Sequence, residues 1–394
     1  MMKMNGKRLV ALLAVALLLV MSCVGSVAET VTLADAVTTF ENGCMAEKND
    51  MTVVDLHGTW HEMGRQYGAL LQRQLREVAD LCEEVISASE DNQTSARKTL
   101  QTQHDQMPYT IRCFFDGMEE TSGLTRDELE RANAVERIAG LPHCSFAAVW
   151  DDYAAGDLVL GRNYDYAEIF HRLNRDVVIT VFHPADDALA TAIIGYAGEI
   201  YAVNGLNEAG IFMELNNGTF SARLKAPDLR ITGTTQLMDM LFEADSLDML
   251  DLYFNSSLNS SAYIINAADS NTVRSYEWCT LGVKRGDGSD PDGVFASTNH
   301  YLSPDWEFEA PDEAASLQTT ARRNGLLALC EANKGRIDVP EMMEIIDTTT
   351  ENGGAKNPLT VYQLVVTPVS RTVWMKTATQ TEWTEFDLAS FLEQ

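Results

Sequence analysis

The stretch from His143 to Tyr166, HCSFAAVWDDYAAGDLVLGRNYDY, constrains the fold of this chain most strongly. The alternation of apolar and small residues in SFAAVW predicts a strand, DDYAAGD is typical of a turn, and LVLGRN predicts a second strand. A β-hairpin of this kind brings the thiol of Cys144 close to Arg162 and Asp165. A nearby cation lowers the pKa of a thiol and makes it a nucleophile. The hairpin is therefore a candidate catalytic centre, and the alternative is a structural cysteine beside an ordinary surface ion pair.

The first 28 residues have the pattern of an export signal. Lys3, Lys7 and Arg8 precede an apolar run, Leu9 to Met21, that is too short to span a bilayer comfortably and has the length of a signal-peptide core. Two endings fit. Either a signal peptidase cuts after Ala28, or Cys23 is lipidated in a lipobox-like sequence. Both predict a chain exported from a bacterium, periplasmic, extracellular or anchored to the membrane only through a lipid on Cys23.

The charge and the cysteines exclude several classes of protein. The formal net charge of −29 argues against binding to nucleic acid or to an anionic membrane surface. Of the seven cysteines none forms a C-x-x-C pair, so the usual zinc and redox signatures are absent from the sequence. We expect no metal and no organic cofactor. Without Cys23 and Cys144 five cysteines remain, which allow at most two disulfides, and Cys82 and Cys330 are expected to be buried thiols.

The segment 29–143 is expected to be mainly helical. A helix-like stretch near Leu33–Glu41 and a strand, MTVVDL, precede apolar residues at three- and four-residue spacing that predict one long amphipathic helix through about residue 87. Gly64 and Gly68 on one face of this helix indicate a close helix packing. Thr125 and Glu128 form a capping box that predicts a helix start. The segment could be a propeptide or the small chain of a processed protein.

The segment 144–394 is rich in predicted strands. Those at 176–183, 190–196, 199–204 and 209–216 follow one another with short polar turns, which is typical of antiparallel meanders. Paired helices and two closing strands follow. The whole pattern predicts an α+β layered fold in which 144–394 forms one domain together with the preceding segment.

Histidines offer a second route to a thiol nucleophile. Cys144 followed far downstream by His300 has roughly the spacing of a papain-type Cys–His pair, but the local signature around the cysteine is missing. A histidine that serves only structure is the alternative for both His143 and His300.

Four segments together resemble the N-terminal-nucleophile hydrolases of the penicillin acyltransferase type, the peptidase C45 family, and more distantly choloylglycine hydrolases and acid ceramidase. They are the hairpin above, HGTWHEMGRQYGALL, GLNEAGIFMELNNG at 205–218 and STNHY at 297–301. The family pattern often has glycine before the cysteine, where this chain has His143. The resemblance implies a four-layer αββα sandwich.

The resemblance also implies roles for individual residues. Cleavage between His143 and Cys144 would make Cys144 the first residue of the processed chain, with its thiol as nucleophile and its own α-amine as general base. Arg162 would lie near the thiol, and Asp165 would hold the α-amine.

Further residues would complete this site. Asn216 and Asn299 would face the developing oxyanion, since neutral amides can donate to it. Arg323 would supply a late helix arginine, and Ser145 could assist self-cleavage or be a plain strand residue.

The expected function is thus an exported, self-processing cysteine amidase that hydrolyses a linear amide of a small-molecule acyl substrate through a thioester. One alternative is an acyltransferase that moves the acyl group to an amine. Another is a non-catalytic exported binding protein on the same scaffold.

Overall fold

The computed structural model describes residues 29–140, 142–222, 230–286 and 293–393. The predicted leader, with Cys23, lies outside the described residues. The strands are β1 Glu29–Val31, β2 Thr38–Phe40, β3 Gly43–Lys48, β4 Met51–Gly58, β5 Ser145–Val149, β6 Val159–Asp165, β7 Val177–Pro184, β8 Thr191–Tyr196, β9 Asn204–Asn207, β10 Phe212–Asn217, β11 Tyr263–Ala268, β12 Val273–Cys279, β13 Gly282–Gly286, β14 Val294–Ser297, β15 Thr360–Thr367, β16 Thr372–Thr377 and β17 Thr384–Asp387. The α-helices are α1 Trp60–Leu70, α2 Gln72–Ser87, α3 Glu90–Gln106, α4 Tyr109–Ser122, α5 Arg126–Ala132, α6 Val135–Ala139, α7 Gly233–Glu243, α8 Leu247–Ser256, α9 Thr319–Ala332, α10 Val339–Asp347 and α11 Ala389–Leu392.

Two large sheets dominate the described residues. One has seven strands in the order β1-β17-β16-β15-β6-β5-β14, and the other has ten in the order β13-β12-β11-β10-β9-β8-β7-β4-β3-β2. Neighbouring strands are antiparallel except for β1 with β17 and β4 with β7. The predicted meander appears as the run from β7 to β13 in the ten-stranded sheet. The α+β prediction is therefore confirmed.

The hairpin predicted around Cys144 is present. Strands β5 and β6 pair antiparallel, with Ser145 opposite Asn163 and Val149 opposite Val159. Phe146 and Ala148 face the core between the sheets, whereas Ala147 and Val149 pack in a second cluster with residues of α9 and α10. This alternation shows that the seven-stranded sheet is covered on both faces.

Contacts between the sheets define the two inner layers. Tyr164 on β6 meets Tyr196 on β8 edge-on, with ring centroids 6.3 Å apart. Asn204 on β9 donates a hydrogen bond of 2.9 Å to the hydroxyl of Tyr362 on β15. The sheets thus face each other directly, as the four-layer αββα arrangement requires.

Helices α1 and α4 cover the outer face of the ten-stranded sheet. Phe182 on β7 packs against Phe114 of α4, with ring centroids 5.7 Å apart. At Gly64 an added Cβ would lie 1.9 Å from the main-chain oxygen of Phe114. The predicted close packing at this glycine is therefore confirmed, and the fourth layer is complete.

The expectation of a mainly helical segment 29–143 was incomplete. Its strand β4 lies between β3 and β7 in the larger sheet, and β1 pairs with β17 at the edge of the smaller one. The stretch predicted as helix-like, Leu33–Glu41, forms one 3₁₀ turn at Leu33–Asp35 followed by β2. Pairing with distant strands outweighed the weak local helix signal in these residues.

Other helix and strand boundaries also differ from the predicted ones. The single long helix breaks at Leu71 into α1 and α2. The strand expected at 199–204 begins only at Asn204. The capping box at Thr125 and Glu128 is confirmed at the start of α5.

The six cysteines of the described residues are all free thiols, including the buried Cys82 and Cys330. Within the described ranges, none of the helices combines the length and the apolar character needed to cross a bilayer.

Candidate active site

Cys144 lies immediately before β5 and is completely buried. Its thiol points to the main-chain oxygen of Asp165, 3.9 Å from Sγ. Burial raises the pKa of this thiol to about 11, and the positive charge of Arg162 opposes that effect. The thiol is therefore protonated at neutral pH.

Arg162 is held by strand β10 of the opposite sheet. It is fully buried, forms an ion pair with the equally buried Glu214, and donates to the main-chain oxygen of Leu215 at 2.7 Å. It also donates to Oδ1 of Asn216 at 3.2 Å. The alternative of a surface ion pair at this strand end is thus wrong, because guanidinium and carboxylate both lie in the core.

Asp165 ends β6 and is also completely buried. Thr360 donates to its Oδ1 at 2.6 Å, and Asn357 donates to its Oδ2 at 2.5 Å. Burial raises the pKa of this carboxyl to about 6, while the charge of Arg322, 3.9 Å away, favours the ionised form. The carboxylate is mostly ionised at neutral pH.

The two predicted oxyanion asparagines face different partners. Nδ2 of Asn216 donates to the hydroxyl of Ser297 at 3.2 Å. Nδ2 of Asn299 donates to the main-chain oxygen of Asn217 at 3.0 Å and reaches that of Pro142 at 3.5 Å. Of these two amides, Asn299 is thus the one that contacts the chain just before Cys144.

An arginine of α9 contacts the peptide bond that precedes Cys144. Nη1 of Arg322 donates to the main-chain oxygens of His143, at 2.7 Å, and of Cys144, at 3.3 Å. Its Nη2 donates to Oδ1 of Asn299 at 3.0 Å. The guanidinium is only 1% exposed, so little water screens these bonds.

The two adjacent arginines of α9, Arg322 and the sequence-predicted Arg323, have different partners. Arg323 donates from Nε to the main-chain oxygen of Ala296 on β14. Consecutive residues of a helix point about 100° apart, so only one of the two can face Cys144. The rotation of α9 about its axis directs Arg322 to the main-chain oxygens of His143 and Cys144. Arg322 was not identified from the sequence.

Glu214 was missed as well. It lies two residues before Asn216 on β10, and residues two apart on a strand share a face. The two-residue periodicity of the strand was the sequence signal that could have identified Glu214.

The remaining candidates lie at the margin of the site. Ser145 accepts a hydrogen bond from Asn163 at 3.2 Å, which ties it into the hairpin as a strand residue. The ring of His143 packs against that of Phe220 at a tilt of 35°, with centroids 5.3 Å apart, and burial lowers the pKa of the His143 ring.

His300 does not support the Cys–His interpretation. Its Nδ1 lies 3.0 Å from the hydroxyl of Thr319, and burial lowers the pKa of the ring to about 4. The ring is therefore neutral and is engaged with threonine hydroxyls.

A cavity of about 190 Å³ adjoins the site. Its walls combine aliphatic and aromatic side chains with a few polar groups, namely Glu136, Arg137, Gly140, Pro142, Tyr166, Tyr201, Val203, Leu215, Asn217, Thr219, Thr234, Ser261 and Tyr263. Pro142 and Asn217, which line it, are also the residues whose main-chain oxygens contact Asn299. The cavity therefore lies beside the residues that precede Cys144, and Gly140 and Pro142 form part of its wall.

A carboxyl pair shares one tyrosine hydroxyl at this cavity. The hydroxyl of Tyr201 lies 3.0 Å from an oxygen of Glu136 and 3.0 Å from one of Glu199. Burial raises the pKa of both carboxyls, that of Glu136 to about 7. The raised pKa of each carboxyl means that burial beside the other favours the protonated form over the ionised one.

Among the described residues, none of those around Cys144 forms a metal-binding group with its neighbours. Within the described ranges one such group occurs, formed by Asp55, His57 and His183 on β4 and β7.

No protein-family model matches this sequence, and no curated protein matches it significantly. Solved structures do resemble it. An ortholog of N-acylethanolamine-hydrolyzing acid amidase from Caenorhabditis elegans is 16% identical, with a TM-score of 0.42, and the match covers 57% of this chain and 93% of that one. A mutant conjugated bile acid hydrolase from Clostridium perfringens is 15% identical, with a TM-score of 0.45, over 62% of this chain and 92% of that one.

Penicillin V acylase from Agrobacterium tumefaciens is 9% identical, with a TM-score of 0.40, over 64% of this chain and 89% of that one. At these identities and scores the likeness assigns no role to any residue of this chain.

Proposed function

We propose that this protein is a self-processing amidase that uses the thiol of Cys144 to hydrolyse linear amides. One observation carries the proposal. The carbonyl oxygen of His143, in the peptide bond that would be cut, accepts a 2.7 Å hydrogen bond from the buried guanidinium of Arg322. The thiol that would attack this carbonyl belongs to the very next residue.

Self-cleavage would begin with attack of Cys144 Sγ on the carbonyl carbon of His143, through a five-membered ring. Negative charge then develops on the carbonyl oxygen, where Arg322 donates, and such a preorganised donor lowers the barrier. The C–N bond breaks, the thiol proton ends on the departing amine, and a thioester links His143 to Cys144. Water hydrolyses the thioester and leaves a carboxylate at His143 and a free α-amine at Cys144.

The new N-terminus would supply both groups for turnover. An α-amine has a pKa near 8, so it can take the thiol proton at neutral pH. The amide carbonyl of a substrate would accept hydrogen bonds from Asn299 and Arg322, which already contact the carbonyl groups of Pro142 and His143, respectively. The acyl group passes to Sγ, the amine leaves with the proton, and water releases the acid.

The cavity beside the site favours an apolar acyl group. Val203, Leu215, Tyr166 and Tyr263 are among the residues that form its wall. After cleavage the residues that end at His143 would be free to move away from this wall and leave the cavity open towards Cys144. Water as the final acceptor makes the protein an amidase, and an amine acceptor would make it an acyltransferase.

Export belongs to the same proposal. The signal-like residues 1–28 would direct the chain across the cytoplasmic membrane, with membrane attachment only through a lipid on Cys23. Fractionation of the source cells, with N-terminal mass analysis of the mature chain, tests this part separately.

A panel of N-acyl amides, including acylated amino acids and bile-acid conjugates, tests the activity. Purified wild-type protein is expected to release amine from at least one of them, and Cys144→Ala is expected to release none. Cys330→Ala, which removes another buried thiol, is the matched control and should keep full activity. Neutral-pH iodoacetamide should block the wild type through Cys144, and activity that persists in Cys144→Ala would refute the mechanism.

A further inference from the structure

Three side chains with metal-binding atoms meet at the ends of β4 and β7. Nε2 of His57 lies 2.8 Å from Oδ2 of Asp55, and Nε2 of His183 lies 2.9 Å from Oδ1 of the same carboxylate. The three ligand atoms all lie within 4.8 Å of one another. The two imidazole rings stack, with centroids 4.2 Å apart.

The sheet brings these residues together by its register. Asp55 and His57 are two apart on β4 and therefore share a face. His57 pairs directly with His183 on the parallel neighbour β7. Gln66 of α1 fixes the main chain at His57, because its side chain accepts from the amide of His57 at 2.9 Å and donates to its carbonyl at 2.8 Å. The backbone at this position is thus held before any ligand arrives.

We propose that Asp55, His57 and His183 bind a divalent transition-metal ion, and that zinc suits them best. Two imidazole nitrogens and one carboxylate are a common protein donor set for zinc, with water in the remaining position. Magnesium and calcium are expected to bind weakly here, because they prefer oxygen ligands to imidazole nitrogens. The carboxylate is 1% exposed, whereas the side chains of His183 and His57 are 12% and 28% exposed. The histidines therefore provide the path from solvent to the buried carboxylate.

Metal binding requires one adjustment. An imidazole binds a metal through a lone pair in the plane of its ring, and the two ring planes are only 4° from parallel. One ring must turn so that both Nε2 atoms point to one ion. His57 is the more exposed of the two and is the ring expected to turn.

The ligands come from both sides of the proposed cleavage point. Asp55 and His57 belong to segment 29–143, and His183 belongs to segment 144–394. If the chain is cut as proposed above, the ion would join the two resulting chains across the β4–β7 pair. The metal site itself does not depend on cleavage, because the three residues already meet in the uncut chain.

Zinc titration of the purified, metal-stripped full-length chain tests the inference. The Cys144→Ala background keeps the candidate nucleophile from binding zinc and leaves the chain uncut. We expect one equivalent of zinc to bind, measured by competition with a chromogenic chelator, and the melting temperature to rise by about 3–6 °C at saturating zinc. Absence of stoichiometric binding would overturn the proposal, whatever the amidase assay shows.

Single substitutions locate the ion. His57→Ala and His183→Ala should each weaken zinc binding by about 100-fold or more, since loss of a side chain that binds the ion directly costs more than the 10–100-fold loss on removing one that only hydrogen-bonds to a ligand. His61→Ala is the matched control, because this exposed histidine of α1 pairs with Glu120 and lies outside the group. Zinc binding that survives both ligand substitutions, or that falls equally in His61→Ala, would overturn the assignment. If His183→Ala does not fold, the partly exposed His57→Ala still gives the answer.

Discussion

Replacement of Arg322 by lysine should slow self-cleavage while it keeps the positive charge. The guanidinium donates five hydrogen bonds, to the main-chain oxygens of His143, Cys144, Ser316 and Leu317 and to Oδ1 of Asn299. A lysine has three N–H groups on a single nitrogen and loses the planar fork, so at least two of the five bonds disappear.

The size of the effect follows from these bonds. Loss of one donor to a developing oxyanion costs about 10²–10³-fold in rate. Two lost charge-assisted hydrogen bonds also lower the free energy of unfolding by about 3–6 kcal/mol, at about 1.5–3 kcal/mol each. We therefore expect maturation of Arg322→Lys to slow by at least about 100-fold, together with a lower melting temperature.

The assay follows the uncut and cut chains by intact mass against time after expression at low temperature. Circular dichroism restricts the comparison to folded protein. Arg323→Lys is the matched control, since it changes the neighbouring arginine of α9, whose Nε bonds to Ala296 on β14. Cleavage of folded Arg322→Lys at the wild-type rate, or an equal delay in Arg323→Lys, would refute the role given to Arg322.

Two further predictions concern stability. Gly64→Ala places a Cβ 1.9 Å from the main-chain oxygen of Phe114 and should lower the free energy of unfolding by about 3 kcal/mol or more in denaturant melts. Gly156 has open space around it, so Gly156→Ala is the control and should change the free energy of unfolding by less than about 0.5 kcal/mol. Because burial raises the pKa of Glu136 from 4.5 to about 7, the stability contributed by its protonated form is present below pH 4.5 and is lost as the pH rises through about 7. Glu136→Gln should remove that loss, so its free energy of unfolding should exceed that of the wild type by up to about 3 kcal/mol at pH 8 and by little at pH 4. An equal difference at both pH values would contradict the assignment.

Local patterns predicted the parts of the fold that depend on nearest neighbours. The alternation in β5 and β6, the meander from β7 onward and the capping box at Thr125 all follow from side-chain periodicity or short-range hydrogen bonds. The strand pairs β1–β17 and β4–β7 could not be predicted in this way, because each joins residues that are distant along the chain. Pairing of this kind is decided by the packing of the whole sandwich.

The same distinction between local pattern and distant packing applies to the residues of the candidate site. Cys144, Arg162 and Asp165 are placed by one hairpin, so the hairpin prediction also brought them together. The choice between Arg322 and Arg323 depends on how α9 is rotated against β14, which adjacent identical residues do not reveal. Glu214 required the facing sheet to be known, since its role is to neutralise Arg162 from the other layer.

The most direct test of the account is the intact mass of the purified protein. We predict two chains, one ending at His143 and the other comprising residues 144–394 with a free cysteine at its N-terminus, and a single uncut chain for Cys144→Ala. A single uncut wild-type chain that still hydrolyses amides, or cleavage that persists in Cys144→Ala, would contradict the account.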